Sequence, residues 1–387
     1  MNYDNIFSKK VQTIKPSGIR KFFDIAAEYD DILSLSIGEP DFETPWHIRE
    51  AGIESLERSR TKYTANAGMR ELRQAASAYF KRRFSLCYAE DEILVTVGGS
   101  EAIDLAIRAL VDPGDEVLVP EPSFVCYSPI TTLAGGVPVP IVTKQEDNFK
   151  LTACALKKAI TPKTKLLVLP FPNNPTGAVM TRKDLNAIAK VLRETDIMVL
   201  SDEIYAELTY GSKHVSIASI EGMRERTIVV NGFSKAYSMT GWRMGLAAAP
   251  KPVIQKMTLI HQYGIMSAPT TSQYAAIEAL NNGDDDIEVM RREYDIRRKR
   301  ILEGLRNMGL PCFEPFGAFY IFPDISQFGL SSDEFCERLL REQRLAVVPG
   351  SAFGDSGEGF LRISYAYSVE NIDLALLRLE KFIKKLK

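Results

Sequence analysis

Residues 227–245 read TIVVNGFSKAYSMTGWRMG. The first four, Thr227 to Val230, are β-branched, the composition of a strand buried on both faces of a parallel sheet. The run then breaks at Asn231-Gly232 into a Gly/Ser/Thr-rich stretch that cannot continue it. Lys235 sits in that break. At the end of a buried strand its ammonium is poorly solvated, which lowers its pKa and makes it a nucleophile toward carbonyl groups. Arg243, farther along the same stretch, offers a planar donor fork of the kind that binds phosphate. From this stretch alone Lys235 reads either as that nucleophile or as a turn lysine at the surface.

Outward from this point, residues 90 to 250 alternate short apolar runs with helical patterns, the mark of a largely parallel sheet covered by helices. The candidate strands are Ile93–Val97, Glu116–Val119, Val137–Val142, Leu166–Leu169, Ile197–Leu200, Thr227–Val230 and Leu246–Ala249, enough for one seven-stranded sheet. Helices are expected over Ser100–Leu110, stopped by Asp112-Pro113-Gly114, and over Arg182–Thr195 with Thr181 as N-cap. Beyond Pro252 the pattern lengthens, with a helix over Ile287–Met308. It then mixes strands (Ala318–Phe322, Ala346–Val348, Leu361–Ser364) with helices (Ser332–Glu342, Asn371–Lys385), which reads as a smaller α+β unit. Residues 1–45 read as an arm and a helix that joins the small unit, 46–285 as a large domain and 286–387 as a small C-terminal domain.

The 387 residues are long for a single compact core. Their 48 basic and 50 acidic residues leave no electrostatic footprint for nucleic acid or an anionic membrane. The basic cluster Arg291-Arg292 with Arg297 to Arg300 is interleaved with Glu288, Glu293 and Asp295, and reads as a solvated helix face. Five scattered cysteines suggest neither a disulfide framework nor a metal site, and fit a reducing, cytoplasmic setting. No stretch has the apolar character of a signal peptide or a membrane span, so a soluble protein is expected.

In an open parallel sheet, ligands sit beyond the carboxyl ends of the strands, so the residues there carry the chemistry. Gly98-Gly99-Ser100-Glu101 is a glycine turn into a helix, a potential anion site that is equally a packing device. Pro120-Glu121-Pro122-Ser123 leads to Phe124. Pro170 to Gly177 is too rich in turn residues for a regular element, and a rigid loop of this kind can fix the Asn174 amide. Asp202 and, three residues on, Tyr205 follow the next strand. Asp202 reads as a helix N-cap or as a buried carboxylate that keeps a ring nitrogen protonated. An anion-binding turn, an aromatic, an amide, an acid, a phenol, a lysine and an arginine together match the needs of pyridoxal 5′-phosphate.

The ordered motifs Ser36 to Phe42, Lys62-Tyr63-Thr64, Gly98 to Ala102, Asp112 to Asp115, Asn174 to Gly177, Ser201 to Tyr205, Ser234-Lys235 to Arg243, Gly317 to Tyr320 and Leu361 to Ser364 cover nearly the whole chain. In these the sequence resembles the class I aminotransferases of fold type I, particularly prokaryotic aspartate and aromatic enzymes. The resemblance implies that Lys235 is the Schiff-base lysine and proton shuttle, that Asp202 pairs with the pyridine nitrogen, and that Tyr205 and Asn174 meet the phenolic oxygen. It implies that Phe124 stacks on the ring, and that the phosphate is held by backbone at Gly99, Ser100 and Glu101, by Ser234 and by Arg243. Some relatives carry a hydroxyl residue where this chain has Gly232. Arg362 becomes the clamp for the substrate α-carboxylate, with Gly38 and Asn174 beside it, and Tyr63 reaches the phosphate of a neighbouring subunit, which implies a homodimer with shared sites. The activity implied is ping-pong transamination between an L-amino acid and a 2-oxo acid such as 2-oxoglutarate. The donor is expected to be aromatic or broad, with aspartate possible, since Phe22, Phe23, Phe319 and Tyr320 suggest an apolar wall. Pro16 to Lys21 and Val347 to Gly354 also resemble aromatic aminotransferases. The alternatives are a carbon–sulfur β-lyase on the same scaffold and a ligand-sensing regulator, for whose DNA-binding module the N-terminal arm is short. His47, His214 and His261 lie in none of these motifs and are assigned no catalytic role.

Overall fold

The computed structural model describes residues 1, 3, 6–16 and 31–386. Phe22 and Phe23, and all of the 16–21 motif but Pro16, lie outside the described residues. A short strand β1 (Leu33–Ser34) precedes the main sheet strands β2 (Ile93–Thr96), β3 (Glu116–Glu121), β4 (Val137–Val142), β5 (Thr164–Pro170), β6 (Met198–Asp202), β7 (Thr227–Gly232) and β8 (Gly245–Ala248). These seven form one sheet in the order β2-β8-β7-β6-β5-β3-β4. Only β8 runs opposite to the other six strands. All seven strands anticipated from the sequence are present, with ends shifted by a few residues at most.

The central strands show why this sheet forms. Leu167 and Leu169 of β5 pack into one apolar layer while Leu166 and Val168 pack into the opposite one. A strand apolar at both parities must be covered on both faces, and helices cover it. Each such leucine is fully or almost fully buried, and truncating one to alanine costs about 2–5 kcal/mol. The helix Arg182–Leu192 starts where expected, with a reciprocal capping box between Thr181 and Asp184. It stops three residues earlier than the pattern suggested, because Glu194 and Thr195 turn their N–H groups to carbonyls three residues back.

The smaller α+β part carries a three-stranded sheet, β11-β12-β9, from β9 (Tyr320–Ile321), β11 (Val348–Pro349) and β12 (Leu361–Ser364). The expected strand over Ala318–Phe322 is shorter, since Ala318 has φ +58, the left-handed region, and its carbonyl accepts the Tyr210 and Tyr365 hydroxyls. The expected strand over Ala346–Val348 is two strands: β10 (Leu345–Ala346) pairs parallel with β1, and β11 pairs antiparallel with β12. The long helix is Asp284–Asn307, earlier by the three aspartates 284–286, whose charge favours a helix N-terminus. Its basic cluster is not wholly a solvated face. Arg297 and Arg298 are buried, Arg297 paired with Asp41 at 2.7 Å and Arg298 with Asp295 and Glu314, their stems and planes packed on Tyr294 and Tyr210.

His47, on the helix Trp46–Glu57, joins three helices. Its Nδ1 lies 2.7 Å from Glu278 on the helix Thr270–Asn282, and its Nε2 lies 2.9 Å from Asp286 on the long helix. Carboxylates only accept, so only the imidazolium satisfies both. Burial lowers the His47 pKa, but the hydrogen bonds to Asp286 and Glu278 outweigh it and the net shift is upward from 6.5. A raised folded-state pKa stabilises fully below the unfolded value and is lost as pH rises through the folded value. His47→Gln is therefore expected to lower the melting temperature most near pH 6, with the gap to wild type closing by about pH 9. Thermal scans of both proteins across that range check it, and a gap independent of pH would remove the charge from this account.

Candidate active site

Because β8 alone is reversed, the carboxyl ends of β2, β3, β5, β6 and β7 share one sheet edge with the start of β8. A cavity of about 360 Å³ opens there. Gly38, Gly99, Ser100, Phe124, Asn174, Asp202, Tyr205, Ser234, Lys235, Arg243 and Arg362 all line it. Two expected site residues do not. Glu101 turns its carboxylate back onto the Val97 N–H and the His261 ring, so only its backbone belongs to the helix start. Tyr63 lies on the surface, 81% exposed, outside the cavity of its own chain.

Lys235 is not a surface turn lysine. It follows β7 on the single turn Phe233–Ala236 and points into the cavity, where Nζ donates to the Gly38 carbonyl at 2.6 Å. Burial lowers its pKa from 10.5 to about 8; Glu39 opposes that shift, and Arg362 and Arg243 add to it. At pH 7 about a tenth of such an amine is free, a few hundredfold more than for an ordinary lysine. Gly232 has a packing reason: a Cβ there would lie 2.9 Å from Ile204 Cδ1 and 3.1 Å from the Met244 carbonyl.

Asp202 ends β6. It accepts the Tyr127 hydroxyl at 2.7 Å and the Ile204 N–H at 3.2 Å, and a turn rather than a helix follows, so it is no helix cap. Burial raises its pKa; the Tyr127 hydroxyl and the Ile204 N–H pull it down, and Glu203 pushes it up. A cationic ring nitrogen beside it would hold it ionised. Tyr205 shares a hydrogen bond with Tyr320 at 2.7 Å. On the opposite side the helix Gly98–Leu110 presents its first backbone N–H groups, which have no partner within the helix. The Arg243 guanidinium lies beside them, since a Cβ on Gly98 would sit 2.5 Å from its Nη2.

Arg362 of β12 is buried, and it is no ion pair on a sheet face. Nη1 donates to Asn174 Oδ1 at 3.1 Å and Nη2 donates to the Ser36 carbonyl. Nε is buried without a partner among the described residues. A guanidinium has five N–H groups, so donors remain for a bidentate carboxylate. Together an amine of lowered pKa, a buried carboxylate, an aromatic face and an anion cup with a guanidinium fit a phosphorylated aromatic aldehyde, and Arg362 fits an acid beside it.

Sequence reasoning gave no role to Tyr127, which holds Asp202, to Ser36, whose carbonyl accepts from Arg362, or to Thr240, whose carbonyl accepts from Arg243 Nη1 at 2.9 Å. A buried tyrosine needs an acceptor, but nothing near Tyr127 in the chain points to Asp202. The three histidines stay out of the cavity, each paired with a carboxylate.

Gly98 is the sharpest test of the cup. It has φ +76 as well as no room for Cβ. Gly98→Ala is expected to weaken binding of pyridoxal phosphate to the cofactor-free protein about tenfold or more. A spectrophotometric titration reads this, and unchanged affinity would take the helix start out of the site.

The family "Aminotransferase class I and II" matches residues 30–379. The chain is 47% identical over 384 residues to the aromatic-amino-acid aminotransferase 2 of Thermococcus litoralis, covering 98% of this chain and 99% of that protein. Its identity to the aspartate aminotransferase of Pyrococcus abyssi is also 47% over 384 residues, with the same coverage. Among solved structures it is similar to the aspartate aminotransferase from Thermus thermophilus with maleate, at 41% identity and a TM-score of 0.93, covering 97% of this chain and 99% of that one.

Proposed function

The chain belongs to the class I and II aminotransferases, and from that premise we propose that it moves the amino group of an aromatic or similarly apolar L-amino acid to 2-oxoglutarate in the cleft around Lys235. The enzyme uses pyridoxal 5′-phosphate, which when bound supplies a sink for the electrons left at the substrate Cα. The observation that carries the residue roles is the convergence of Lys235, Asp202 and Arg362 on one cavity.

In this reading the phosphate rests on the backbone of Gly99, Ser100 and Glu101, with Ser234 and Arg243 beside it. Asp202 holds the ring-nitrogen proton, with Tyr127 fixing its carboxylate. Tyr205 and Asn174 face the phenolic oxygen, and Phe124 covers the ring. Arg362 binds the α-carboxylate and, with Gly38 at the other edge, sets the Cα–H toward Lys235. The Lys235 amine is placed to take that proton from Cα and would deliver it to the cofactor's aldehyde carbon, on the far side of the amino nitrogen, one residue serving as base and then as acid. The second 2-oxo acid enters through the same carboxylate contact and the steps reverse.

The donor preference follows from the walls. Ile37, Ile103, Phe124, Ile204 and Tyr320 make much of the lining apolar, and equal identity to an aromatic and an aspartate enzyme leaves the decision to such residues. Phe319 stands behind them, its ring 5.8 Å from the Lys235 nitrogen. We also propose a homodimer in which Tyr63 reaches the partner's phosphate site. Tyr63 is exposed, as are Tyr263 and Trp46, and so is free to meet a second copy. A large domain over 46–285 and a small one over 286–387 fit the start of the long helix at Asp284. A cytoplasmic location fits the scattered cysteines. No helix among the described residues is long and apolar enough to cross a membrane.

Lys235→Ala is expected to keep the fold by circular dichroism while lowering turnover at least about a thousandfold, and to lose the visible absorbance of the lysine-bound cofactor. With 2-oxoglutarate as acceptor, kcat/KM for phenylalanine and tyrosine should exceed that for aspartate. The reverse order would defeat the apolar-wall reading.

A further inference from the structure

The sequence singled out Val347 to Gly354 without giving it a task. Its strand β11 pairs Val348 with Arg362 of β12. Directly after β11 the chain makes the 3-10 turn Gly350–Phe353, which returns the Phe353 ring to the guanidinium of that same arginine. The Arg362 carbon Cζ lies over two rings, 4.9 Å from the Phe353 centroid and 4.6 Å from that of Tyr320. Phe353 is almost fully buried. Its backbone carbonyl accepts the Ser123 N–H at 3.1 Å, next to Phe124 in the cavity wall, and Ser351 ties the turn to Asp333 at 2.7 Å.

What holds Arg362 is as informative as where it sits. Its hydrogen-bond acceptors are an amide oxygen and a backbone carbonyl. Among the described residues no carboxylate pairs with it. A carboxylate partner would fix the guanidinium but cancel its charge, and an incoming acid would have to compete with it. Aromatic faces attract the cation and set its plane without neutralising it, and the attraction grows where water is excluded.

Resting on the proposed role of Arg362 as the α-carboxylate clamp, we propose that Phe353 is a positioning residue for that clamp: with Tyr320 it holds the guanidinium plane in register for a bidentate carboxylate, and through Ser123 it ties that plane to the loop bearing Phe124. The contact is present before and after chemistry, so it acts on binding of every substrate alike rather than on the chemical step.

The test uses the cofactor-loaded enzyme and 3-phenylpropanoate, a carboxylate without an amine that binds but cannot react. Phe353→Leu keeps apolar bulk and removes the ring. It is expected to weaken calorimetric binding about tenfold, to raise KM for phenylalanine by a similar factor, and to leave kcat within about twofold. Phe353→Tyr, which keeps the face, should restore both values. Melting temperature and cofactor absorbance check that each variant is folded. Phe353→Met, which fills the space without a ring, takes the place of Phe353→Leu if that variant does not fold. Wild-type affinity in the ringless variant, or a loss carried by kcat instead of KM, overturns the proposal. If Arg362→Leu binds 3-phenylpropanoate as well as wild type, the clamp reading itself has failed and the proposal falls with it. If Arg362→Leu loses binding and the ringless variant does not, only the role of Phe353 has failed.

Discussion

The cleft depends on one close backbone contact. Gly232 of β7 and Gly245 of β8 face each other in the sheet, and Gly245 presses on Gly98 so tightly that a Cβ on it would lie 2.4 Å from the Gly98 carbonyl carbon. Each glycine lies within three residues of a reactive group. Lys235 is one turn after Gly232, Arg243 is two residues before Gly245, and the first N–H groups of the helix Gly98–Leu110 follow Gly98. Side chains at this junction would push apart the amine, the guanidinium and the anion cup. With none, the 98–101 turn and the 232–245 stretch, distant in sequence, hold their groups around one small cavity.

That closeness has an electrostatic consequence. Lys235, Arg243 and Arg362 share a cavity whose described lining offers the single carboxylate Asp202. Like charges at this range disfavour one another's ionisation. Arginine does not yield a proton in a protein, so the lysine is the cation that gives way. The arginines thus do two things at once: they await anions, and they help keep the amine nucleophilic. Glu39, hydrogen-bonded to Thr240 at the rim, limits the effect.

The sequence made the main sheet legible because its strands are apolar at both parities and end in turn residues, so hydrophobic runs marked the strands and the sheet rule marked the site. Lys235, Asp202 and Asn174, which line the cavity, were picked out by that logic; Arg362 needed the family motifs. Three kinds of feature stayed hidden. Ala318 adopts a left-handed backbone that a run of apolar letters does not signal, and so a strand was read too long. Val347 separates two strands with different partners, a fact of tertiary pairing. Arg297 and Arg298 looked like a solvated charge run because their partners Asp41 and Glu314 are remote or beyond the helix. Tyr127 shares this character: it acts by touching Asp202, far away in the chain, and local pattern carries no trace of that.

A transaminase must accept two substrates in turn through one opening, and an amino donor and an oxo-acid acceptor with different side chains share the α-carboxylate and the carbon beside it. Rigidity is useful at those shared atoms and harmful beyond them. The distribution of contacts follows this division. Arg362 is fixed by Asn174, Ser36, Tyr320 and Phe353, and Lys235 by the Gly38 carbonyl. The walls near the side-chain space are isoleucines and aromatic faces without directional bonds to satisfy. An apolar wall discriminates weakly between isosteres, whereas an unmet buried donor discriminates strongly. Arg362, a buried cation with no carboxylate partner among the described residues, favours an acid at that position, while the rest of the substrate is selected by fit.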